Sequence, residues 1–153
     1  MDCAVVDVTP SLLTQIEALE RACFSVPWTR EQLTAQLPDA RHVFLAAVRG
    51  GDVLGYIGML HVLDEGYVSN VAVAPDARRQ GVGAALVAAL IERAEALRLA
   101  FVTLEARASN DAAIRLYERF GFQPVGRRKH YYAKPDEDAV LMTRFWKGAG
   151  SGC

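Results

Sequence analysis

The order of strand and helix patterns along the chain predicts an α/β (α+β) fold, with a mixed central β-sheet of about seven strands and helices on both faces. Two strand patterns, residues 42–48 and 53–61, are joined by Gly50-Gly51-Asp52, a sequence typical of an antiparallel hairpin. Farther along, an amphipathic helix pattern at residues 81–97 separates two other strand patterns, as in a parallel crossover. The two kinds of connection together predict a sheet that is partly antiparallel and partly parallel.

The first part of the chain predicts one strand and two helices. Residues 3–8 are apolar and β-prone, and they predict the first strand. A helix follows, and its apolar face is formed by Leu12, Leu13, Ile16, Leu19 and Cys23. Thr29 and Gln32 have the spacing of a capping box, so we expect a second helix at residues 29–37.

The remaining elements alternate between the strand period and the helix period. A strand at residues 67–73 precedes the long helix, and a short buried strand at residues 101–105 follows it. Ser109 or Asn110 caps the next helix, which Gly121 ends. Two further strands close the chain, at residues 122–132 and 139–146.

Length and composition are those of an ordinary single-domain protein. The chain has 153 residues, of which 52% are hydrophobic and 23% charged, and its net charge is −1. Without a basic excess, we expect neither a nucleic acid nor a membrane as partner. The three cysteines and three histidines do not cluster with metal-ligand spacing, so no metal is expected.

The ends of the chain predict one domain with a short tail. Residues 1–147 are expected to form the domain and residues 148–153 a flexible tail, because the last six residues are small. The first residues lack the basic and apolar regions of a secretory signal, and no segment reaches the roughly 18 apolar residues that a membrane span needs. We therefore expect a cytoplasmic protein.

A glycine-rich turn, Arg78-Arg79-Gln80-Gly81-Val82-Gly83, lies between a strand and the long helix. The first N–H groups of a helix lack internal acceptors and attract anions, so the two glycines would let a phosphate approach the backbone. The alternative is that the glycines only ease a tight turn. The segment is not a Walker A loop, and it is not a Rossmann fingerprint, because Leu86 stands where a third glycine belongs.

Three sequence blocks around this turn resemble the GNAT superfamily of N-acetyltransferases. Arg78-x-x-Gly81-x-Gly83 is similar to that family's pyrophosphate loop, Q/R-x-x-G-x-G/A. The flanking blocks resemble the family's strand before the loop and its next strand and helix: Asn70-Val-Ala-Val-Ala-Pro75, Leu104-Glu-Ala-Arg-Ala-Ser-Asn110 and Ala113-x-x-Leu-Tyr-Glu-x-x-Gly-Phe122. The resemblance implies a single GNAT-like domain.

Further motifs within residues 3–146 resemble the RimI-type ribosomal-protein-alanine N-acetyltransferases. They are Phe24-x-x-Pro27-Trp28, Leu63-Asp64-Glu65, Glu105-x-Arg107-x-Ser109-Asn110, and Arg128-x-x-Tyr131-Tyr132 followed by Glu137-Asp138-Ala139-x-x-Met142. Ser69 departs from this pattern, because a bulky apolar residue is expected there. The departure bears on packing at the substrate side rather than on cofactor binding.

The resemblance implies acetyl-CoA as co-substrate. The glycine turn would hold the pyrophosphate, and the strand before it would give main-chain contacts to the pantetheine arm and an oxyanion donor. The cofactor-binding residues implied in this way are Val71, Ala72, Val73, Arg78, Arg79, Gln80, Gly81, Val82, Gly83, Ala84 and Asn110. Asn110 is also explained as a helix cap alone.

Acetyl transfer to an amine uses a base for the amine and an acid for the leaving thiolate. The resemblance implies that Glu105, at the end of a strand, is the general base. Glu65 is the competing base, or a group that holds the substrate's amine. The resemblance also implies that Tyr117, about two turns into its helix, is the acid. The alternatives are a solvated carboxylate at Glu105 and a core aromatic at Tyr117.

Aromatic residues at Trp28 and Tyr131 are expected to bound a groove for the substrate, although strand aromatics are often only packed in a core. The resemblance implies that the partner is the N-terminal peptide of a ribosomal protein that begins with alanine. Two other functions remain open at this point. One is acetylation of a small amine, such as an aminoglycoside or polyamine, or of a protein lysine. The other is a non-catalytic acetyl-CoA-binding module.

Overall fold

The computed structural model describes residues 3–133 and 135–146. Within these residues, seven strands and four α-helices follow the order that the sequence predicts. The strands are β1 (Ala4–Asp7), β2 (His42–Arg49), β3 (Asp52–Val62), β4 (Glu65–Val73), β5 (Phe101–Arg107), β6 (Gln123–Ala133) and β7 (Asp136–Phe145). The helices are α1 (Leu13–Cys23), α2 (Arg30–Gln36), α3 (Val82–Ala96) and α4 (Asp111–Arg119). The expected tail at residues 148–153, and the domain end at residue 147, lie outside the described residues.

Most predicted boundaries agree with the structure to within a few residues. The Thr29–Gln32 capping box at the start of α2 is confirmed. Two strands begin earlier than predicted, β4 at Glu65 and β7 at Asp136. Each is the second strand of a hairpin, and its first residue continues the antiparallel ladder of its partner into the turn. Both strands start with polar residues that are typical of turns, so the sequence pattern predicted later starts.

One mixed sheet has the strand order β1-β2-β3-β4-β5-β7-β6. Every neighbouring pair is antiparallel except β4 and β5, which are parallel and connected through α3. This is the partly parallel sheet that the crossover pattern predicts.

Helices cover both faces of the sheet, and strand alternation separates the two cores. On one face, Val43 and Leu45 of β2 pack with α3 and α4. On the other, Phe44 and Ala46 of the same strand pack with α1 and α2. We call these the α3 face and the α1 face.

The parallel pairing of β4 with β5 is short. It joins Glu65–Tyr67 to Phe101–Thr103 and then ends. The rest of β4 stays paired to β3, and the rest of β5 stays paired to β7. The two strands therefore part in the middle of the sheet and leave an opening between its two faces.

A β-bulge lies in β4 at the start of this opening. Gly58 pairs with Asn70, whereas the next residue, Met59, pairs with Val68, so Ser69 is the extra residue. The bulge shifts the alternation by one residue. Val68 therefore belongs to the core on the α3 face, while Asn70 contacts α1 on the opposite face.

Close packing of α3 on the sheet depends on Gly55 of β3. A Cβ atom at this position would lie 2.7 Å from the Ala72 carbonyl oxygen and 3.1 Å from Val82 Cγ1. We expect Gly55→Ala to lower the free energy of unfolding by about 1–3 kcal/mol, because backbone must shift to admit the methyl group. Chemical denaturation measures the loss. Gly126→Ala is the matched control, since nothing lies within 4 Å of its added Cβ, and an equal loss in both variants would contradict the packing argument.

Candidate active site

A cavity of about 1100 Å³ occupies the opening between β4 and β5. Residues 68–73 of β4 and residues 104–107 of β5 form its walls. The α1 face contributes Glu20, Cys23 and Trp28, whereas the α3 face contributes the start of α3 and residues of α4. The cavity thus has lining residues from both sides of the sheet.

The glycine turn forms one end of the cavity, at the head of α3. Gly81 caps the helix in the left-handed conformation, with a φ of 82°, and Arg79 is also left-handed, with a φ of 65°. Glycine adopts this conformation without the strain that a Cβ brings. The loop residues that line the cavity are Arg78, Arg79, Gly81, Val82, Gly83 and Ala84. The unpaired N–H groups of the first helical turn make this end suited to an anion.

Gln80 differs from its neighbours in the loop, because it is not among the described residues that line the cavity. Its side-chain amide donates to the Asp76 carbonyl oxygen at 3.1 Å and accepts from Arg49 at 3.4 Å. Gln80 therefore braces the loop from outside. Arg78, in contrast, lines the cavity while its Nε donates to the Val73 carbonyl oxygen at 3.3 Å.

Asn110 stands at the N-terminus of α4 and lines the cavity. Its Oδ1 accepts a hydrogen bond from the Ala113 N–H at 3.2 Å, so the expected helix cap is present. Val71 packs on the α3 face and Ala72 on the α1 face, and both border the opening together with Val73.

Glu105 lies on β5 where the two strands have parted. Leu104 and Ala106 are buried on the α3 face, so strand alternation places Glu105 on the α1 face. Its side chain is 24% exposed and forms an ion pair with Arg128, whose Nε lies 3.8 Å from Oε2. The Tyr131 hydroxyl lies 3.5 Å from Oε1. Glu105 is thus a partly exposed carboxylate at the cavity wall.

Glu65 lies elsewhere. It begins β4 and pairs with Phe101, four residues before Glu105 along β5, or about 13 Å at the usual rise of a strand. Its carboxylate accepts a hydrogen bond from the Tyr67 hydroxyl at 2.5 Å, which raises the pKa of that phenol. Among the described residues, Glu65 is not part of the cavity lining, so the structure does not bring the competing carboxylate to Glu105.

Tyr117 lies on α4 and reaches the cavity from the α3 face. It is only 7% exposed, and its ring packs against Phe122 with ring centroids 5.8 Å apart. Burial raises the pKa of the phenol to about 12, so the hydroxyl keeps its proton at neutral pH. Tyr117 therefore packs in the core and also borders the cavity.

Aromatic side chains border the α1 side of the opening. Tyr131 is half exposed and stacks edge-on against Tyr132, with ring centroids 5.0 Å apart. Tyr132 in turn lies under the Arg107 guanidinium at 4.2 Å, and burial raises the pKa of its phenol to about 12. Trp28 borders the cavity too, at the end of the loop that follows α1. The two predicted groove residues, Trp28 and Tyr131, therefore belong to one cavity.

Two acidic residues near the cavity, Glu137 and Glu20, were given no site role in the sequence analysis. Glu137 accepts from the Ser109 N–H at 2.6 Å and from Arg107 at 3.3 Å, and the bond from Ser109 is the main reason that its pKa is lowered. Glu20 is fully buried and hydrogen-bonded to Trp28, Tyr56 and Asn70. The sequence signal for Glu20 was its position four residues after Ile16, on the apolar face of α1.

The described part of the chain contains no group of three or more His, Cys, Asp or Glu residues placed to hold a metal ion. In the same part, no helix has the length and hydropathy that a membrane crossing requires.

The comparisons with known proteins agree with this arrangement. Residues 13–122 match the model of the acetyltransferase (GNAT) family. The ribosomal protein bS18-alanine N-acetyltransferase of Escherichia coli K12 is 38% identical over 126 residues, or 81% of this chain and 84% of that protein. The crystal structure of the ribosomal-protein-S18-alanine N-acetyltransferase from Escherichia coli has a TM-score of 0.88 and 31% identity, with 99% of this chain and 98% of that chain covered.

A more distant solved structure shares the fold alone. It is the NatC complex bound to Gag peptide and CoA, with a TM-score of 0.82 at 23% identity over 96% of this chain and 100% of that chain.

This chain therefore belongs to the acetyltransferase (GNAT) family, and it is an N-acetyltransferase. The solved structure from Escherichia coli confirms the predicted GNAT-like fold, in which the sheet opens between its fourth and fifth strands.

The head of α3 gives a test of anion binding. We expect Gly83→Val to weaken CoA binding about tenfold or more in calorimetric titration, because the added side chain obstructs approach to the first helical N–H groups. The substitution also affects packing, since a Cβ at residue 83 would lie 3.2 Å from Leu116 Cδ2. Ala85→Val in the same helical turn is the matched control, as Ala85 is outside the described cavity lining. Unchanged affinity in a folded Gly83→Val protein would remove the helix terminus from the binding site.

Proposed function

We propose that this chain is an acetyl-CoA-dependent N-α-acetyltransferase that acetylates the N-terminal alanine of a ribosomal protein by direct transfer, in the cytoplasm. One observation carries the proposal: the opening in the sheet has a carboxylate, Glu105, on one face and a neutral phenol, Tyr117, on the other. The 38% identical relative, named for the alanine of bS18, supports the choice of substrate.

Acetyl-CoA fits the α3 side of the cavity. The left-handed Gly81 and the N–H groups that begin α3 would bind its pyrophosphate, with Arg78 and Arg79 adding positive charge. Asn110 and the parted edge of β4 at Val71, Ala72 and Val73 would bind the pantetheine arm through main-chain and amide groups. When bound, acetyl-CoA supplies an activated acetyl group as a thioester.

Glu105 would accept the proton of the substrate's amine, directly or through one water. A free α-amino group has a pKa of about 8, so a carboxylate is a sufficient base near neutral pH. The contacts from Arg128 and Tyr131 hold the carboxylate on the α1 face, where the aromatic groove lies. The amine would therefore approach from the α1 face, opposite the cofactor.

Tyr117 would donate its proton to the departing sulfur. A free thiol in water has a pKa of about 8.5, below the pKa of the buried Tyr117 phenol, so proton transfer from this phenol to a fully hydrated thiolate would be unfavourable. The same burial that raises the pKa of Tyr117 would also raise that of a thiolate beside it. A hydroxyl that is protonated at all ordinary pH values thus serves as a donor in this environment.

The groove favours a peptide with a small first residue. Trp28 and Tyr131 border the opening, and exposed apolar residues extend it, with Val26 69% exposed. A bulky side chain on the first residue would crowd the nitrogen that must enter between the parted strands. Peptide atoms beyond the first residue would contact the exposed aromatic surface.

Substitution of the acid tests the mechanism. Tyr117→Phe removes one hydroxyl and almost no volume, so we expect kcat to fall by roughly 10²–10⁴ while KM for acetyl-CoA changes little. Steady-state kinetics with a synthetic alanine-start peptide gives both quantities. Phe122→Leu, which changes the ring that packs against Tyr117, is the packing control. Full activity of Tyr117→Phe would make Tyr117 a core residue only.

Substitution of the base predicts a different pH dependence. Glu105→Gln should lose activity most at low pH and recover as the pH approaches about 8, because more of the α-amine is then already deprotonated. The pH profile of kcat/KM for the peptide measures this recovery. Glu65→Gln should leave the profile unchanged, since Glu65 is paired with Tyr67 at the far end of β4. The reverse result would make Glu65 the base.

A substrate panel separates the proposed activity from its alternatives. Peptides that begin with alanine should be acetylated at the α-amine, and the same peptides with a blocked N-terminus should not be. Mass spectrometry after incubation with acetyl-CoA locates the acetyl group. Turnover of polyamines or aminoglycosides, or acetylation only at lysine, would favour the other acetyltransferase functions. Binding of acetyl-CoA without turnover of any amine would indicate a non-catalytic module.

A further inference from the structure

A buried carboxyl group lies beside the cavity, and the catalytic roles assigned above do not use it. Glu20 of α1 is fully buried yet borders the cavity. Its Oε1 accepts from the Trp28 N–H at 2.7 Å, and its Oε2 accepts from Asn70 Nδ2 at 3.1 Å and from the Tyr56 hydroxyl. Burial, with the bond to Glu20, raises the pKa of Tyr56, so that phenol remains a donor. Three donors thus converge on one carboxyl group.

This convergence fixes the orientation of the Asn70 amide. The NH₂ group of an asparagine donates and its oxygen accepts, so the acceptor Glu20 requires Nδ2 on its own side. The Asn70 oxygen, Oδ1, must then point away from Glu20. Oδ1 is buried and has no hydrogen-bond partner among the described residues. Buried acceptors without a donor are rare in folded proteins, so the unpaired Oδ1 calls for an explanation such as a functional role.

The position of Asn70 indicates which group could donate to Oδ1. The bulge at Ser69 turns Asn70 toward the α1 face, the face on which Glu105 lies, while Val71 packs on the α3 face. Asn70 borders the cavity where β4 has already parted from β5. A donor that reached Oδ1 through the cavity would come from the α1 side, the side on which the amine substrate is proposed to bind.

We propose that Asn70 Oδ1 binds an N–H of the substrate's amine, and that Glu20 is the positioning residue that presents this acceptor. The proposal rests on the proposed function, because it takes the amine of a peptide as the ligand of the α1 face. It assigns substrate affinity to Asn70 and leaves proton transfer to Glu105 and Tyr117.

Substitution of Glu20 should reverse the orientation of the Asn70 side-chain amide. In Glu20→Gln, the amide oxygen must stay with the Trp28 N–H, which can only donate, so the new NH₂ group faces Asn70. Asn70 would then turn its oxygen toward Gln and present NH₂ to the substrate. We expect KM for an alanine-start peptide to rise about tenfold or more, with CoA affinity unchanged. Asn70→Ala removes the acceptor directly and should give the same rise.

A double substitution should restore binding. In Glu20→Gln with Asn70→Asp, one carboxylate oxygen at position 70 accepts from the new NH₂ group and the other again faces the substrate. We expect the peptide KM to return to within about threefold of the original protein's. Tyr56→Phe is the matched control, because it removes another donor from Glu20 but leaves the bond that orients Asn70. It should lower thermal stability without raising the peptide KM.

Steady-state kinetics, calorimetry with CoA and thermal unfolding on all variants give the outcome. A raised peptide KM in Glu20→Gln and Asn70→Ala, with rescue in the double variant, supports the proposal. It is overturned if Asn70→Ala is folded with an unchanged peptide KM, if the double variant is not rescued, or if Tyr56→Phe raises KM equally. If the unaltered protein acetylates no alanine-start peptide, the proposed function fails and this inference fails with it. If the unaltered protein acetylates the peptide but the variants have the same peptide KM, the inference is rejected and the proposed function stands.

Discussion

The short parallel contact between β4 and β5 is the constraint on which the rest of the molecule depends. Three residues of each strand pair, Glu65–Tyr67 with Phe101–Thr103, and the strands then separate. Peptide groups that face the opening have lost the partner that a continuous sheet would give them, and a buried unpaired group costs about 1–3 kcal/mol. Each of the separated strands keeps its pairing on the other side, since β4 remains hydrogen-bonded to β3 and β5 to β7. Residues 68–73 of β4 and 104–107 of β5 therefore line the opening without pairing to one another.

The two proposed catalytic side chains, Glu105 and Tyr117, lie on opposite faces of the sheet at the separated strands. Strand alternation directs Glu105 to the α1 face, and packing of α4 keeps Tyr117 on the α3 face. A sheet without the opening would keep these two side chains apart. The bulge at Ser69 acts at the same place, because it determines which β4 side chains face α1. Serine at this position is exposed, so the departure from the expected bulky residue changes the surface of the groove and leaves the core intact.

Local sequence patterns were sufficient for the fold, because strand and helix periods differ and the connections have recognisable turn residues. The capping box at Thr29 and the helix cap at Asn110 depend on residues three apart, so the sequence predicted the first and narrowed the second to Ser109 or Asn110. The buried cluster around Glu20 could not be predicted in this way. Glu20 is 36 residues from Tyr56 and 50 from Asn70, and only the folded sheet brings them together.

The same distinction applies to the candidate site. The family resemblance implied that Gln80 would bind the cofactor, and Glu65, which precedes the neighbouring predicted strand, was the competing base. Gln80 is hydrogen-bonded outside the described cavity lining and Glu65 is paired with Tyr67, so the positions of both side chains depend on side-chain direction and on strand register. Neither property can be deduced from spacing along the chain. Glu105 differs in that it lies within β5 between the buried Leu104 and Ala106, so strand alternation determines its direction, whereas Glu65 begins β4 at a turn.

Gly83 connects the head of α3, where the pyrophosphate is proposed to bind, to the helix that carries the proposed proton donor, Tyr117. Its backbone lies so close to α4 that an added Cβ would be 3.2 Å from Leu116, the residue before Tyr117. The glycine therefore leaves room for a ligand at the helix terminus and also sets the distance between α3 and α4. Residues in contact usually give non-additive effects when both are changed. Substitutions at Gly83 and Tyr117 should accordingly couple in kcat, because Leu116 lies against Gly83 and directly precedes Tyr117 in α4.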